Sequence, residues 1–208
     1  MISQRVIKPL LFSILIIQSG AVTGQVWFKQ SGDYYALMSH DSQYISGFIY
    51  TEVSEFSEGL AWVNKGDLYG YINTDGDSIT SFDFTDVSDF NHGFAVVSMD
   101  STYGVVNRFG QLVVEYQYSR INTTKYGLFA AQQDSVWHVI DTSGKVVSKR
   151  SWLYPPFFLS DSFIVGCVEG LWGVVNANDE VLYEFTYDLI TYDGVAYIKN
   201  EKYLLGLR

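Results

Sequence analysis

The sequence predicts an all-β protein, built as a tandem array of about 34-residue units that are each a three-stranded antiparallel β-meander. Aromatic residues make up 17% of the chain, and Gly is frequent (18) while Pro is rare (3), a composition typical of short strands joined by tight turns. The apolar runs are too short for amphipathic helices and lack helical spacing. Above all, the same order of apolar runs and polar turns recurs at a fixed interval along the sequence.

The best-preserved unit spans residues 56–76, FSEGLAWVNKGDLYGYINTDG. Two apolar runs, 60–63 and 69–72, flank a polar turn that contains Gly, which is the pattern of a β-hairpin. A third run, 78–84, follows the closing Asn-Thr-Asp-Gly turn. The unit is therefore predicted to be a three-stranded meander.

Self-alignment gives a period of 34 residues, with one inserted residue before the fourth step. The aromatic-Gly pair marks units around 35, 69, 103, 137, 172 and 205, with a degraded first unit at Tyr35 and an unfinished last unit at Leu205-Gly206. An open twisted array is favoured over a closed propeller, because a propeller blade usually has four strands and about 40–45 residues. The structural repeat positions are Gly59, Tyr69, Gly70, Gly93, Tyr103, Gly104, Trp137, Trp172 and Gly173.

Each recurring Gly has a predicted role. Gly inside a strand is costly unless a ring or backbone packs on it, so we expect a ring of the neighbouring unit on Gly70, Gly104 and Gly173, and a distorted contact at His138. We therefore expect Gly104→Val to destabilise the fold. The turns should need positive φ at their Gly and a side-chain oxygen that accepts from backbone amides. The turn Gly residues are Gly76, Gly110 and Gly144, and the acceptors are Asn73, Asn107, Asp141 and Asn176.

Residues 1–24 have the layout of a cleavable signal peptide: two cations, an apolar core of about eight residues and small residues near Gly24. The sequence thus predicts a 1–24 signal peptide, a 25–208 repeat domain, and a secreted, periplasmic or cell-envelope location. Removal of 1–24 takes the formal net charge from −10 to −12. Such an acidic chain argues against nucleic acid as a partner, and no membrane insertion is expected after signal cleavage.

Motifs for catalysis, cofactors or metals are missing from the sequence. The three His residues, His40, His92 and His138, belong to no metal-ligand spacing. Cys167 stands in an apolar run and is predicted to be a small buried hydrophobe. We therefore expect no catalytic residues, no cofactor and no metal.

The pattern Phe-x-x-Gly-Leu-Ala-x-Val at 56–63, followed by Tyr-Gly-Tyr-Ile-Asn-x-x-Gly at 69–76, resembles the WG-repeat family. The resemblance covers nearly all of residues 35–206, although the Trp-Gly pair itself stands unaltered only at Trp172-Gly173. It implies a bacterial, often exported protein with β-rich units. It implies no catalytic residues and no particular ligand.

The preferred hypothesis is a non-catalytic binding or scaffolding module at the cell envelope, with a protein or a glycan as its partner. A specific surface is expected where the copies disagree, and the candidates are His138, Trp152, Tyr154 and Phe157. One alternative is a propeller-like polysaccharide hydrolase that uses carboxylates such as Asp83, Asp86 or Glu115 as an acid pair. A third hypothesis is an envelope protein without a specific ligand.

Overall fold

The computed structural model describes residues 26–123, 127–160 and 163–191, together with the backbone of 195–198 and 201–204. The predicted signal peptide 1–24 and the predicted final pair Leu205-Gly206 lie outside these ranges. Within them the chain forms nineteen strands in six small antiparallel sheets that follow one another in sequence. None of these sheets is closed. The all-β tandem array of about 34-residue units is thereby confirmed.

Each sheet contains consecutive strands, so no strand crosses over to a distant sheet. The sheets hold β1–β2, β3–β5, β6–β9, β10–β12, β13–β16 and β17–β19. The strands are β1 (Trp27–Ser31), β2 (Tyr34–Met38), β3 (Glu52–Val53), β4 (Leu60–Lys65), β5 (Leu68–Asn73), β6 (Asp86–Val87), β7 (Phe94–Met99), β8 (Thr102–Asn107), β9 (Leu112–Tyr118), β10 (Arg120–Thr123), β11 (Leu128–Gln133), β12 (Val136–Asp141), β13 (Phe157–Phe158), β14 (Ile164–Val168), β15 (Leu171–Val175), β16 (Val181–Tyr187), β17 (Leu189–Ile190), β18 (Val195–Ile198) and β19 (Glu201–Leu204).

The four sheets from β3 to β16 share one four-part pairing, although the sequence predicts only three parts. A short edge strand that the sequence analysis did not predict pairs with the first strand of the central hairpin, as β3 does with β4. The predicted third run lies on the other side of the hairpin. It is a full strand in β9 and β16 and only isolated bridges elsewhere. In five copies the same aromatic pairs with the residue fifteen places later: Tyr35–Tyr50, Tyr69–Phe84, Tyr103–Tyr118, Trp137–Trp152 and Trp172–Tyr187.

The hydrophobic core is divided among the junctions between consecutive sheets. Leu60 and Tyr71 of one sheet, for example, pack with Ala95 and Val97 of the next. Four further clusters repeat this arrangement along the described chain, and none of the five joins the first sheet to the last. Each sheet therefore buries its apolar residues against its sequence neighbours, as expected of a repeat array.

Aromatic rings do pack on the Gly residues within strands, but these rings belong to a different part of the chain than predicted. A Cβ on Gly70 would lie 3.1 Å from the Phe82 ring, and one on Gly173 would lie 2.8 Å from the Phe185 ring. In each case the ring belongs to the outer segment of the same sheet, twelve residues later. The prediction of a ring from a neighbouring unit is corrected, because the outer segment folds back over its own hairpin.

At Gly104 the approach of the outer strand is closest. A Cβ there would lie 2.6 Å from the Val114 carbonyl oxygen and 3.2 Å from the Tyr116 ring. Because backbone cannot rotate aside as a side chain can, we expect Gly104→Val to lower the free energy of unfolding by about 1–3 kcal/mol. Urea denaturation measures the change. An unaltered midpoint would contradict this assignment of Gly104.

The closing turns are built as predicted. In four copies the side-chain oxygen of one residue accepts hydrogen bonds from the backbone amides two and four positions later, at 2.8–3.1 Å. The acceptors are Asn73, Asn107, Asp141 and Asn176. Gly76, Gly110 and Gly144 have positive φ, and Asp179 takes that place in the fourth turn.

Asp141 is the one ionisable acceptor among these four turns, which makes its turn sensitive to acid. Partial burial acts to raise the pKa of Asp141, but the hydrogen bonds from Ser143 and the amide of Lys145 outweigh it, so the pKa lies below its ordinary value. The stability that this carboxylate contributes is present above its unfolded pKa, about 3.9, and is lost as the pH falls through the lower folded value.

We therefore expect Asp141→Asn, which restores the residue of the other three turns, to flatten the acid limb of the stability curve. The amide oxygen accepts the same backbone hydrogen bonds without titrating. Thermal unfolding followed from neutral pH to roughly pH 3 gives the comparison. Identical acid slopes in the variant and the original chain would show that the Asp141 turn does not contribute to the pH dependence.

Pro155 and Pro156 lie in the segment between β12 and β13, which begins at Phe157. Cys167 is a free, buried thiol, and burial raises its pKa, so it behaves as a small core residue. Within the described residues no helix is long and apolar enough to cross a membrane.

Candidate functional site

A pocket of about 410 Å³ lies at the junction between the β6–β9 sheet and the β10–β12 sheet. This volume falls in the lower part of the roughly 300–1,000 Å³ range of small-molecule sites. Its floor and walls combine apolar side chains with a polar rim. The lining residues are Asp86, Val87, Ser88, Val96, Tyr103, Ile121, Asn122 and Thr123.

The polar rim is organised by Tyr103 and Asp86. The Tyr103 hydroxyl donates a hydrogen bond to the Asp86 carboxylate at 3.3 Å. Burial and the negative charge of Asp86 raise the pKa of Tyr103, while Arg120 acts in the opposite direction. Tyr103 is therefore a protonated donor at neutral pH. The hydrogen bond keeps the Tyr103 ring at the pocket wall. The Asp86 side chain remains exposed to solvent.

The preceding copy contains the same frame, but there the space is filled by the chain itself. Trp62 in β4 occupies the position of Val96 in β7, since both stand 34 residues apart and pair with the same place in the facing strand. The Trp62 indole lies edge-on to the Tyr69 ring, with centroids 5.6 Å apart. Its Nε1 donates to Asp89 at 2.9 Å. In the next copy Val96 has no ring to fill this space, and the pocket lies beside it.

The copy that ends at β16 also fills the equivalent space with a ring. Phe157 in β13 pairs with Val165, which stands where Trp62 and Val96 stand in the earlier copies. The Phe157 ring lies 6.0 Å from Trp172, the equivalent of Tyr69 and Tyr103. Among the described aromatic contacts, no ring lies against Tyr103 itself. The copies thus differ in what covers the repeated aromatic.

The sequence-predicted surface is only partly at the surface. Trp152 is fully buried and Phe157 is only 8% exposed, so the expectation that these two rings offer a binding surface is corrected: both serve as core. Tyr154 is 52% exposed and stacks on Trp172 with parallel rings, 6.1 Å apart. His138 is half-buried in β12 and faces Ala131 across the hairpin.

The copy with His138 lacks the usual contact between a strand Gly and an aromatic ring, and Arg150 stands at the position of that ring. It stands twelve residues after His138, where the other copies have an aromatic ring, and its guanidinium lies 5.3 Å from the Phe185 ring centroid. Its Nε lies 3.1 Å from the Asp179 carboxylate. Trp152 stands at the position of Phe84 and Tyr118, fifteen residues after the recurring aromatic, and its ring lies against Gly166 of the next sheet.

The carboxylates of the hydrolase alternative do not converge on the pocket. Asp86 lines it, whereas Asp83 accepts from the Ser81 hydroxyl at 2.8 Å and Glu115 is exposed on β9. Over the described residues, no group of three or more His, Cys, Asp or Glu side chains could hold a metal ion. The pocket offers a mixture of apolar side chains and hydrogen-bonding groups rather than an acid pair.

Val96 and Gly166 are the two important residues that sequence reasoning missed. The aligned position changes from Trp62 to Val96 while the rest of the unit is well kept, and it is Ala130 and Val165 in the later copies. A small residue at this position leaves room for a cavity but does not by itself predict one. A comparable signal marks Gly166, because it stands opposite the strand Gly of its hairpin, where the earlier copies have Val63 and Val97.

Comparison with solved structures gives only distant similarity. Kluyveromyces lactis Hsv2 is 13% identical with a TM-score of 0.42, over 75% of this chain and 58% of that chain. A protein of unknown function from Bacteroides caccae is 14% identical with a TM-score of 0.30, over 85% and 82% of the two chains. The chain thus spans just under three fifths of the length of Hsv2. No curated protein matches the sequence.

A family model described as the WG containing repeat matches three consecutive segments, 35–69, 69–103 and 103–137. The segment limits coincide with the recurring aromatic of each unit. The family model and the structure therefore divide the chain with the same period. Residues 35–137 belong to the WG-containing repeat family.

Proposed function

We propose that this chain is a non-catalytic binding module, exported to the cell envelope, that holds a protein or glycan ligand through its β-array. The observation that carries the proposal is the open pocket beside Tyr103, against which none of the described aromatic contacts places a ring, whereas Tyr69 and Trp172 each have one. A pocket that combines apolar side chains with hydrogen-bonding groups suits recognition of a ligand.

The polar groups of the pocket favour binding over hydrolysis. Two-carboxylate hydrolysis needs a pair of acids about 5–10 Å apart, and the described pocket lining contains the single carboxylate of Asp86. That carboxylate accepts from Tyr103. The proposal of a non-catalytic role rests on this composition and on the lack of a catalytic motif in the sequence.

The proposed location rests on the sequence of residues 1–24, whose charge and hydropathy pattern is that of a signal peptide. An acidic exported chain is suited to partners other than nucleic acids. Fractionation of cells that produce the full chain, with amino-terminal sequencing of the exported product, tests this part. Retention of the intact amino terminus in the cytoplasm would contradict it.

The binding role is tested with glycan and peptide arrays, using the original chain and Val96→Trp side by side. The variant fills the pocket with the side chain that the preceding copy already carries at this position, so it should fold normally. We expect ligands that bind the original chain and lose binding in the variant. Equal binding by both proteins would place the site elsewhere, and no binding on either array would contradict the proposed function.

A further inference from the structure

We infer that the pocket beside Val96 receives a planar aromatic side chain, Trp above all, from a partner protein. The inference rests on the proposed function and names the chemistry of its ligand. It comes from the chain itself, because the preceding copy shows what occupies the same space when it is filled. There the occupant is the indole of Trp62.

The two copies share their backbone frame around this space. The amide of Trp62 donates to the Ser54 hydroxyl at 2.9 Å, and the amide of Val96 donates to the Ser88 hydroxyl at the same distance. The recurring aromatic also makes the same hydrogen bond in both copies. The hydroxyl of Tyr69 donates to Glu52, and the hydroxyl of Tyr103 donates to Asp86. The second copy therefore keeps the walls of an indole site and lacks the indole.

The copy filled by Trp62 also indicates which atoms of the pocket the ligand should contact. In the filled copy, the ring lies edge-on to Tyr69 and its single N–H reaches Asp89. Thirty-four residues later Tyr103 offers the same ring face, and Thr123 stands in place of Asp89 at the pocket rim. The Thr123 hydroxyl oxygen is an acceptor for the indole N–H of the incoming side chain. Val96 and Ile121 supply apolar contact.

Ring shape, rather than mere apolarity, is the common requirement. The copy that ends at β16 meets it from a different strand, with Phe157 against Trp172. Edge-to-face and tilted aromatic pairs contribute beyond the area they bury. A sugar ring would instead bring several hydroxyl groups that each need a partner on burial, whereas an indole brings one N–H. The pocket chemistry therefore favours an aromatic side chain over a glycan.

The test uses N-acetyl-tryptophanamide, a capped Trp side chain, titrated into the isotopically labelled full chain and followed by amide NMR shifts. We expect shifts concentrated at Val96, Tyr103 and Thr123. Val96→Trp should weaken this binding at least tenfold while the circular dichroism spectrum and the melting temperature stay at or above those of the original chain. Val146→Trp, which adds an indole at an exposed position outside the pocket lining, is the matched control and should bind normally.

The converse variant, Trp62→Val, should create a second site of the same kind, with new shifts around Tyr69 and Asp89. This gain of binding does not depend on the folding of Val96→Trp. If methyl glucoside shifts the pocket amides and the Trp compound does not, the binding role stands and the aromatic assignment is overturned. If the Trp compound shifts none of these amides, or binds equally well to Val96→Trp, the inference is likewise overturned.

Discussion

Replacement of Trp152 by Ala is expected to lower the free energy of unfolding by about 3–5 kcal/mol, the range for truncating a fully buried Trp. Trp152 is 0% exposed. Its ring lies against Gly166, 5.9 Å from the Phe185 ring, and its backbone bridges to Trp137. The side chain thus joins two sheets at the least regular junction. Urea denaturation followed by circular dichroism measures the loss.

Trp152→Phe is the matched control for this prediction. Among the described residues the indole Nε1 has no hydrogen-bond partner, so Phe keeps a ring on Gly166 and removes a buried unpaired donor. We expect a much smaller loss than for Ala. Gly166→Ala, whose Cβ would overlap the Trp152 ring, should destabilise the original chain but cost far less in the Trp152→Ala background. Simple additivity of the two changes would refute their contact.

Gly110→Ala is expected to destabilise the chain by about 2–5 kcal/mol, because two costs add at this position. Gly110 has a φ of +75°, a conformation that costs an L residue roughly 1–2 kcal/mol. A Cβ there would also overlap the carbonyl oxygen of Ile79 in the preceding copy, which adds an overpacking cost of about 1–3 kcal/mol. Thermal and urea unfolding provide the measurement.

Gly144→Ala separates these two costs. Gly144 has a similar φ of +79°, but the nearest atoms to its Cβ lie at an ordinary 3.7 Å. We expect this variant to show the conformational cost alone and therefore to lose less stability than Gly110→Ala. If the two variants are equally destabilised, the approach of Ile79 to Gly110 has no energetic weight.

Local rules recovered most of the fold from the sequence. The turn with Asn73 and Gly76 and the hairpin that follows Gly59 depend on residues a few positions apart, and these were predicted correctly. The edge strand Glu52–Val53 was missed, because two residues carry too little alternation to mark a strand. The rings on Gly70 and Gly173 were assigned to a neighbouring unit, since spacing alone does not tell whether a segment folds back on its own sheet.

The candidate site was less accessible to sequence reasoning. Disagreement between copies was the right criterion, but it was applied where the pattern is most irregular, and it led to Trp152 and Phe157, which are core. An irregular stretch can compensate for its own changes, as Arg150 and Trp152 do around His138. The informative difference was the change from Trp62 to Val96 between two copies that keep the same frame, although Ala130 and Val165 also lack a ring at this position.

The placement of the described core clusters at junctions between consecutive sheets has a consequence for how such a chain changes length. A duplication or deletion of one whole period leaves every remaining junction with complementary partners, whereas a cut at half a period would set unlike surfaces together. The same geometry keeps contacts between near neighbours along the chain, which favours rapid folding that can start at any junction and spread outward. Growth by recombination and folding by propagation thus share one modular boundary, the interval from one recurring aromatic to the next.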